Sequence, residues 1–174
     1  MRKSFLPLCV LILMIALATA CSKANPPQSS PEQQKEWIRK DFITEKVSYY
    51  TRQNFRFVEK LAVSSQKNGY SVVLTFIPEV GSAPVKQDIY RSMAAYAFGI
   101  NSFFPEIKSY EFNVLWDERT KEKAIHAVID EAGVTSLSNR YHELMIDKNG
   151  GFEPSYRSFF SESTESEAAK KWAD

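Results

Sequence analysis

The side chains best suited to chemistry in this sequence are few, and their spacing limits what they can do. His126 and His142 are the only histidines, and an imidazole serves as a proton carrier near neutral pH or as a metal ligand. Neither has a second His or any Cys three or four residues away, the spacing that sets two ligands around one metal. Both are expected at surface or boundary positions. Asp147-x-Asn149-x-Gly151 followed by Glu153 opens like a calcium loop. Its fifth ligand position is Gly151, its turn-forming sixth is Phe152 and its twelfth, Ser158, is no acid, so a turn after a helix is expected instead. Ser64-Ser65-Gln66-Lys67 has the Ser-x-x-Lys spacing of serine acyl-transfer enzymes, but it falls in a predicted hairpin and lacks the two further motifs that chemistry needs. Glu111, Asp117, Glu118, Asp130 and Glu131 flank a second hairpin and are the raw material for a general acid and base pair. Solvated strand ends account for the same five residues. The expectation is a protein with no catalytic residue, no metal and no cofactor.

Where the chain does its work is set by its first twenty-one residues. Arg2 and Lys3 form a short positive segment, Leu6 to Leu17 an apolar run, and Ala18-Thr19-Ala20 a small-residue stretch before Cys21. Together they read as a secretory signal peptide. The run is too short to span a bilayer as an ordinary helix, and Pro7 breaks its start. Leu17-Ala18-Thr19-Ala20-Cys21 resembles the lipobox of bacterial lipoproteins, with Ala18 where the favoured Leu would stand and Leu17 one position early. The resemblance implies lipid on the Cys21 sulfur and cleavage just before it. Ser22, where an Asp would favour the inner membrane, implies sorting to the outer membrane, facing the periplasm. A plain cleavage site at Ala18-x-Ala20 would instead release a protein beginning with a free thiol, an odd liability outside the cell. Cys9 leaves with the signal and Cys21 is capped by lipid, so no disulfide is expected. Each buried acyl methylene contributes about 0.8 kcal/mol, and one chain binds only marginally, so several chains on one cysteine give lasting attachment.

Removing residues 1–20 takes Arg2 and Lys3 from the 22 basic side chains and leaves 20 against 21 acidic ones. A domain so close to neutral has no electrostatic footprint for nucleic acid. Residues 21–34 hold the anchor cysteine and a stretch, Ser22 to Gln34, with three prolines and no apolar side chain larger than Ala. Such a composition stays extended and serves as a tether. A single domain is expected from 35 to 160, followed by a polar tail, 161–174, in which Thr164-x-x-Glu167 opens a short helix.

Within the domain, Pro31 and Glu32 start a helix whose stripe comprises Ile38, Phe42, Ile43, Val47 and Tyr50, widened by Trp37 and Tyr49. Phe57, Leu61 and Val63 then alternate with polar residues, Asn68-Gly69 signals a hairpin, and Tyr70 to Ile77 returns as a more central strand. Val85 to Phe103 is a second amphipathic helix with Ser82 as its cap. Tyr110 to Trp116 and Ile125 to Ile129 form a second hairpin, Gly133 breaks the strand, and Leu137, Tyr141, Leu144 and Met145 mark a third helix. Phe152, Tyr156, Phe159 and Phe160 are expected to fold back onto the domain. The order helix-hairpin-helix-hairpin-helix predicts an α+β fold, a two-layer sandwich with helices packed on a mainly antiparallel four-stranded sheet. The unit of helix plus hairpin occurs twice.

These readings favour a non-catalytic protein-binding or accessory lipoprotein, attached to the membrane through Cys21 and partnered by another envelope protein. A small-molecule or lipid-binding domain is the alternative, and an enzyme with an unrecognised site stands behind both. Tyr49, Tyr50, Phe55 and Phe57 cluster near the junction of the first helix and strand. Most of them should be core, and any left exposed would mark a protein-binding or membrane-facing patch.

Overall fold

The computed structural model describes residues 30–79, 85–145 and 154–173, with the side chains of 142–145, 154 and 155 left aside. Cys21, the lipobox, Ser82 and the segment 147–153 therefore lie outside the described residues. The chain divides into a short unit, Met1–Lys35, and a compact unit, Glu36–Asp174.

In the short unit a capping box starts the first helix. The Gln33 amide donates to Ser30 Oγ at 3.2 Å, and the Ser30 amide donates to Gln33 Oε1 at 2.9 Å. Two of the amides a helix leaves unpaired at its start are satisfied reciprocally, and Pro31 takes the first helical position, where a missing N–H costs nothing. Helix α1 (Pro31–Asn54) thus takes in the last four residues of the segment expected to be tether.

The compact unit continues with β1 (Phe57–Gln66), β2 (Gly69–Ile77), α2 (Lys86–Phe103), β3 (Ile107–Leu115), β4 (Lys123–Ile129), α3 (Glu131–Met145) and β5 (Glu162–Glu165). Short 3-10 turns occupy Pro154–Phe159 and Ala169–Lys171. The fold is α+β, with three helices and a five-stranded mixed sheet in the order β1-β2-β3-β4-β5. Two expectations are corrected. The sheet has five strands, because residues expected as a polar tail pair antiparallel with β4. It is mixed, because β2 and β3 run parallel while the other neighbours are antiparallel. The reason is the single crossover helix: β2 ends at one rim of the sheet, α2 returns the chain to the other, and the next strand must start where β2 started.

Strand residues alternate in burial. Val72, Leu74 and Phe76 of β2, Phe112 and Val114 of β3, and Ile125, Ala127 and Ile129 of β4 are buried on one face. Against them pack Ile43 and Val47 of α1, Met93, Tyr96 and Ile100 of α2, Leu137 of α3 and Phe159 from the first 3-10 turn. The expected return of Tyr156, Phe159 and Phe160 is therefore observed, while Phe152 lies outside the described residues. In β1 a bulge between Val58 and Lys60 breaks the expected alternation. It leaves Phe57 opposite Ile77, on the other face from Leu61, which stands opposite Leu74.

Two glycines are required by close contacts. Gly69 has φ +143° in the turn after Asn68, and a Cβ there would overlap the Glu106 carbonyl. Gly133, expected to break a strand, lies in the first turn of α3. The strand ends at Ile129, Asp130 Oδ1 accepts the Gly133 amide at 2.8 Å, and the missing side chain lets the Phe159 carbonyl approach.

The chain end is pinned by buried charge. Lys86 Nζ lies 3.4 Å from Glu165 Oε2, and Arg157 Nη2 lies 3.1 Å from Glu165 Oε1. The Tyr90 hydroxyl pairs with Ser163 and donates to Glu165 at 3.4 Å, while the Arg157 guanidinium covers the Tyr90 ring. Nearby, Trp172 packs on Trp116 with ring centroids 5.1 Å apart, and Val85 bridges Ala173.

Candidate functional site

The sheet face turned away from the core holds the first group of interest. Thr75, Asn113, His126 and Thr164 stand opposite one another across β2, β3, β4 and β5, and Val73, Glu111, Val128 and Glu162 form the row beside them. His126 Nδ1 lies 3.2 Å from Asn113 Oδ1, and the Asn113 amide donates to Glu111 Oε1 at 3.0 Å. Asn113 Oδ1 can only accept, so His126 Nδ1 donates to it, and Nε2 lies 3.8 Å from Glu162 Oε1. The structure thus unites two residues singled out in the sequence, His126 and Glu111, with two the sequence did not offer, Asn113 and Glu162. Asn113 was readable only as a polar position in an alternating strand, and Glu162 only as part of a tail.

The remaining candidates have local structural roles. Asp117 Oδ1 accepts from the Arg119 and Thr120 amides and the Thr120 hydroxyl, closing the β3–β4 loop. Those hydrogen bonds, the Thr120 amide foremost, hold its carboxyl below the usual aspartate range despite some desolvation. Glu118 is exposed in the same loop, Asp130 caps α3, and Glu131 pairs with Lys108 at 3.7 Å. Ser64 faces Ser71 across the first hairpin, and Lys67 is in its turn. His142 is on α3, its side chain outside the described residues, and Ser158 is in a 3-10 turn. Asp147, Asn149, Gly151 and Glu153 lie outside the description. Among the described residues no three His, Cys, Asp or Glu gather closely enough to hold a metal ion.

The second group is apolar and lies on the helices. Ile38 is 70%, Tyr49 64% and Phe103 61% exposed, with Trp37 and Phe42 also open to solvent. At 3.6 residues per turn Ile38, Phe42 and Tyr49 fall within roughly 40° of arc, on the side of α1 away from its buried Ile43 and Val47. Phe42 meets Phe104 edge-on at 6.1 Å, and Phe103 of α2 lies 5.7 Å from Tyr50. Two cations sit among these rings. Lys46 Nζ is 5.5 Å above Phe42, and the Arg39 guanidinium, 5.6 Å from the same ring, pairs with Glu106. Desolvation pushes the Glu106 carboxyl up, but the Arg39 hydrogen bond and charge outweigh it and leave the group below its ordinary value. Of the four aromatics expected near the first helix and strand, Phe55 is buried, Tyr50 half-buried, and Tyr49 and Phe57 exposed.

An open groove of about 610 Å³ lies at the C-terminal end of α1, lined by Arg52, Asn54, Phe55, Arg56, Ile77 and Asp88 among others. Among the described residues no helix is long and apolar enough to cross a membrane.

No family model, curated protein or solved structure matches this chain.

Proposed function

We propose that this chain is a bacterial lipoprotein, acylated at Cys21 and held at the outer membrane facing the periplasm, that binds an envelope protein and performs no chemistry of its own. In this reading the helices and sheet form two layers, and the partner meets the outer layer, the open face of the sheet. The observation that carries it is the cross-strand row on that face. Short side chains, Ser71, Thr75, Ser109 and Thr164, surround the hydrogen-bonded Glu111-Asn113-His126 chain and Glu162. The result is a hydrogen-bonded face on which Val73 and Val128 alternate with polar side chains around the buried Asn113, a mixture of apolar and polar groups that suits protein contact. The space between helices and sheet is filled by Tyr90, Tyr96, Tyr110, Phe112 and Phe159, all fully buried, which favours a protein partner over a ligand held between the layers. Glu111 and Glu162 on either side of His126 suit a partner presenting basic or hydroxyl groups.

A photo-crosslinking residue in place of Val73, used in the native host, tests this. A discrete crosslinked envelope protein, lost when Asn113→Ala breaks the row, is the expected result. Recovery of the uncrosslinked lipoprotein alone in every growth condition would count against protein binding at this face.

A further inference from the structure

We infer that the exposed apolar stripe of α1, with Phe103 of α2, is a membrane-contact face that lies on the bilayer surface beside the lipid anchor. The inference rests on acylation at Cys21 and concerns a different face from the one assigned to the protein partner. Three observations carry it. The first is distance along the chain: only nine residues, Ser22 to Ser30, separate the cysteine from α1. Fully extended they reach about 30 Å, so the bilayer is the surface that this helix meets most often. A short tether sets an effective concentration in the millimolar range, and a face with weak affinity of its own is then occupied.

The second is composition. Exposed Ile38, Phe42, Tyr49 and Phe103 give an apolar surface with an aromatic majority, the kind of side chain that settles at the level of lipid headgroups. The third is charge. Lys46 and Arg39 lie among the rings of this patch, Lys46 Nζ 3.3 Å from Glu45 and Arg39 paired with Glu106, so the acids beside the stripe are matched by bases and leave no excess negative charge to repel a phospholipid surface. An interfacial helix buries its apolar face at the acyl boundary while long basic side chains reach back to phosphate. A face of this kind fits a phospholipid surface, and it sets the helices toward the bilayer and the open sheet face toward the periplasm.

The test uses the lipidated full-length chain in vesicles of phosphatidylethanolamine and phosphatidylglycerol. Mass spectrometry first establishes the acyl chains on Cys21, since their absence would remove the anchor reading itself. In a Trp37→Phe background, Phe42→Trp places a reporter in the stripe, and brominated lipid should quench its emission, read as the difference from the Trp37→Phe parent that keeps Trp116 and Trp172, by about twofold or more through contact with the acyl boundary. Ile38→Glu with Tyr49→Glu, both at exposed positions, should abolish that quenching while the protein still floats with the vesicles. Far-ultraviolet circular dichroism establishes that the variant remains folded. A lipidated, vesicle-bound protein whose reporter is as bright in brominated as in ordinary lipid would overturn the inference. Concentration-dependent crosslinking through the stripe between two copies, or stable occupation of the stripe by a purified envelope protein on the vesicle, would overturn it as well.

Discussion

Two buried tyrosines show how a single hydroxyl decides stability. Thr51 Oγ donates to the Val47 carbonyl at 2.7 Å, so the Tyr96 hydroxyl, 2.7 Å away, donates to Thr51. The Tyr110 hydroxyl is buried with no hydrogen-bond partner among the described residues. Tyr96→Phe should therefore cost about 1 kcal/mol, whereas Tyr110→Phe should be neutral or stabilising, because it removes an unsatisfied group. Urea titration of the two variants checks the sign. Burial pushes Tyr96 up to about 12. A group whose folded pKa is raised stabilises fully below its unfolded value, near 10, and that contribution is lost as pH rises toward the folded one. Base-induced unfolding between roughly pH 10 and 12 is expected, shifted to higher pH in Tyr96→Phe.

At the scale of elements, the two features that depart most from periodicity have clear physical origins. Strand β5, Glu-Ser-Thr-Glu, has no apolar alternation to reveal it, since its inward positions are Ser163 and Glu165 held by polar contacts. Replacing Glu165 with Gln removes the carboxylate that Lys86 and Arg157 share and should cost about 1–2 kcal/mol, read as a lower thermal midpoint. Gly133→Ala should gain helix propensity yet lose more through overlap with the Phe159 carbonyl, for a net cost of about 1–2 kcal/mol by chemical denaturation. The hairpins and the three helices were legible because burial on one side imposes periods of two and 3.6. The parallel pairing of β2 with β3 was implied by strand-helix-strand order, but treating each hairpin separately concealed it. Helix α1 was harder to read: apolar residues occupy two of its faces, and sequence cannot say which pair, Ile43 and Val47 or Ile38 and Phe42, turns inward.

At the scale of the whole folded unit, function was less legible than fold. The row across β2 to β5 joins residues from positions 75, 113, 126 and 164, and no spacing rule connects such distant positions before the strand order is known. The exposed helix stripe, by contrast, was foreshadowed by an excess of aromatics over what a small core needs. The two surfaces make separable predictions: substitutions on the sheet face should alter partner capture without changing vesicle quenching, and those on the stripe should do the reverse.

The tilted, closely packed indoles of Trp116 and Trp172 join the end of β3 to the residues after β5. Two such chromophores held close and inclined to each other couple their electronic transitions, so the native protein should carry an exciton signature in its circular dichroism. That signature is an optical gauge of one seam. On gentle warming it should fade before the backbone signal wherever the chain end detaches first, allowing the peeling of β5 to be timed separately from melting of the core.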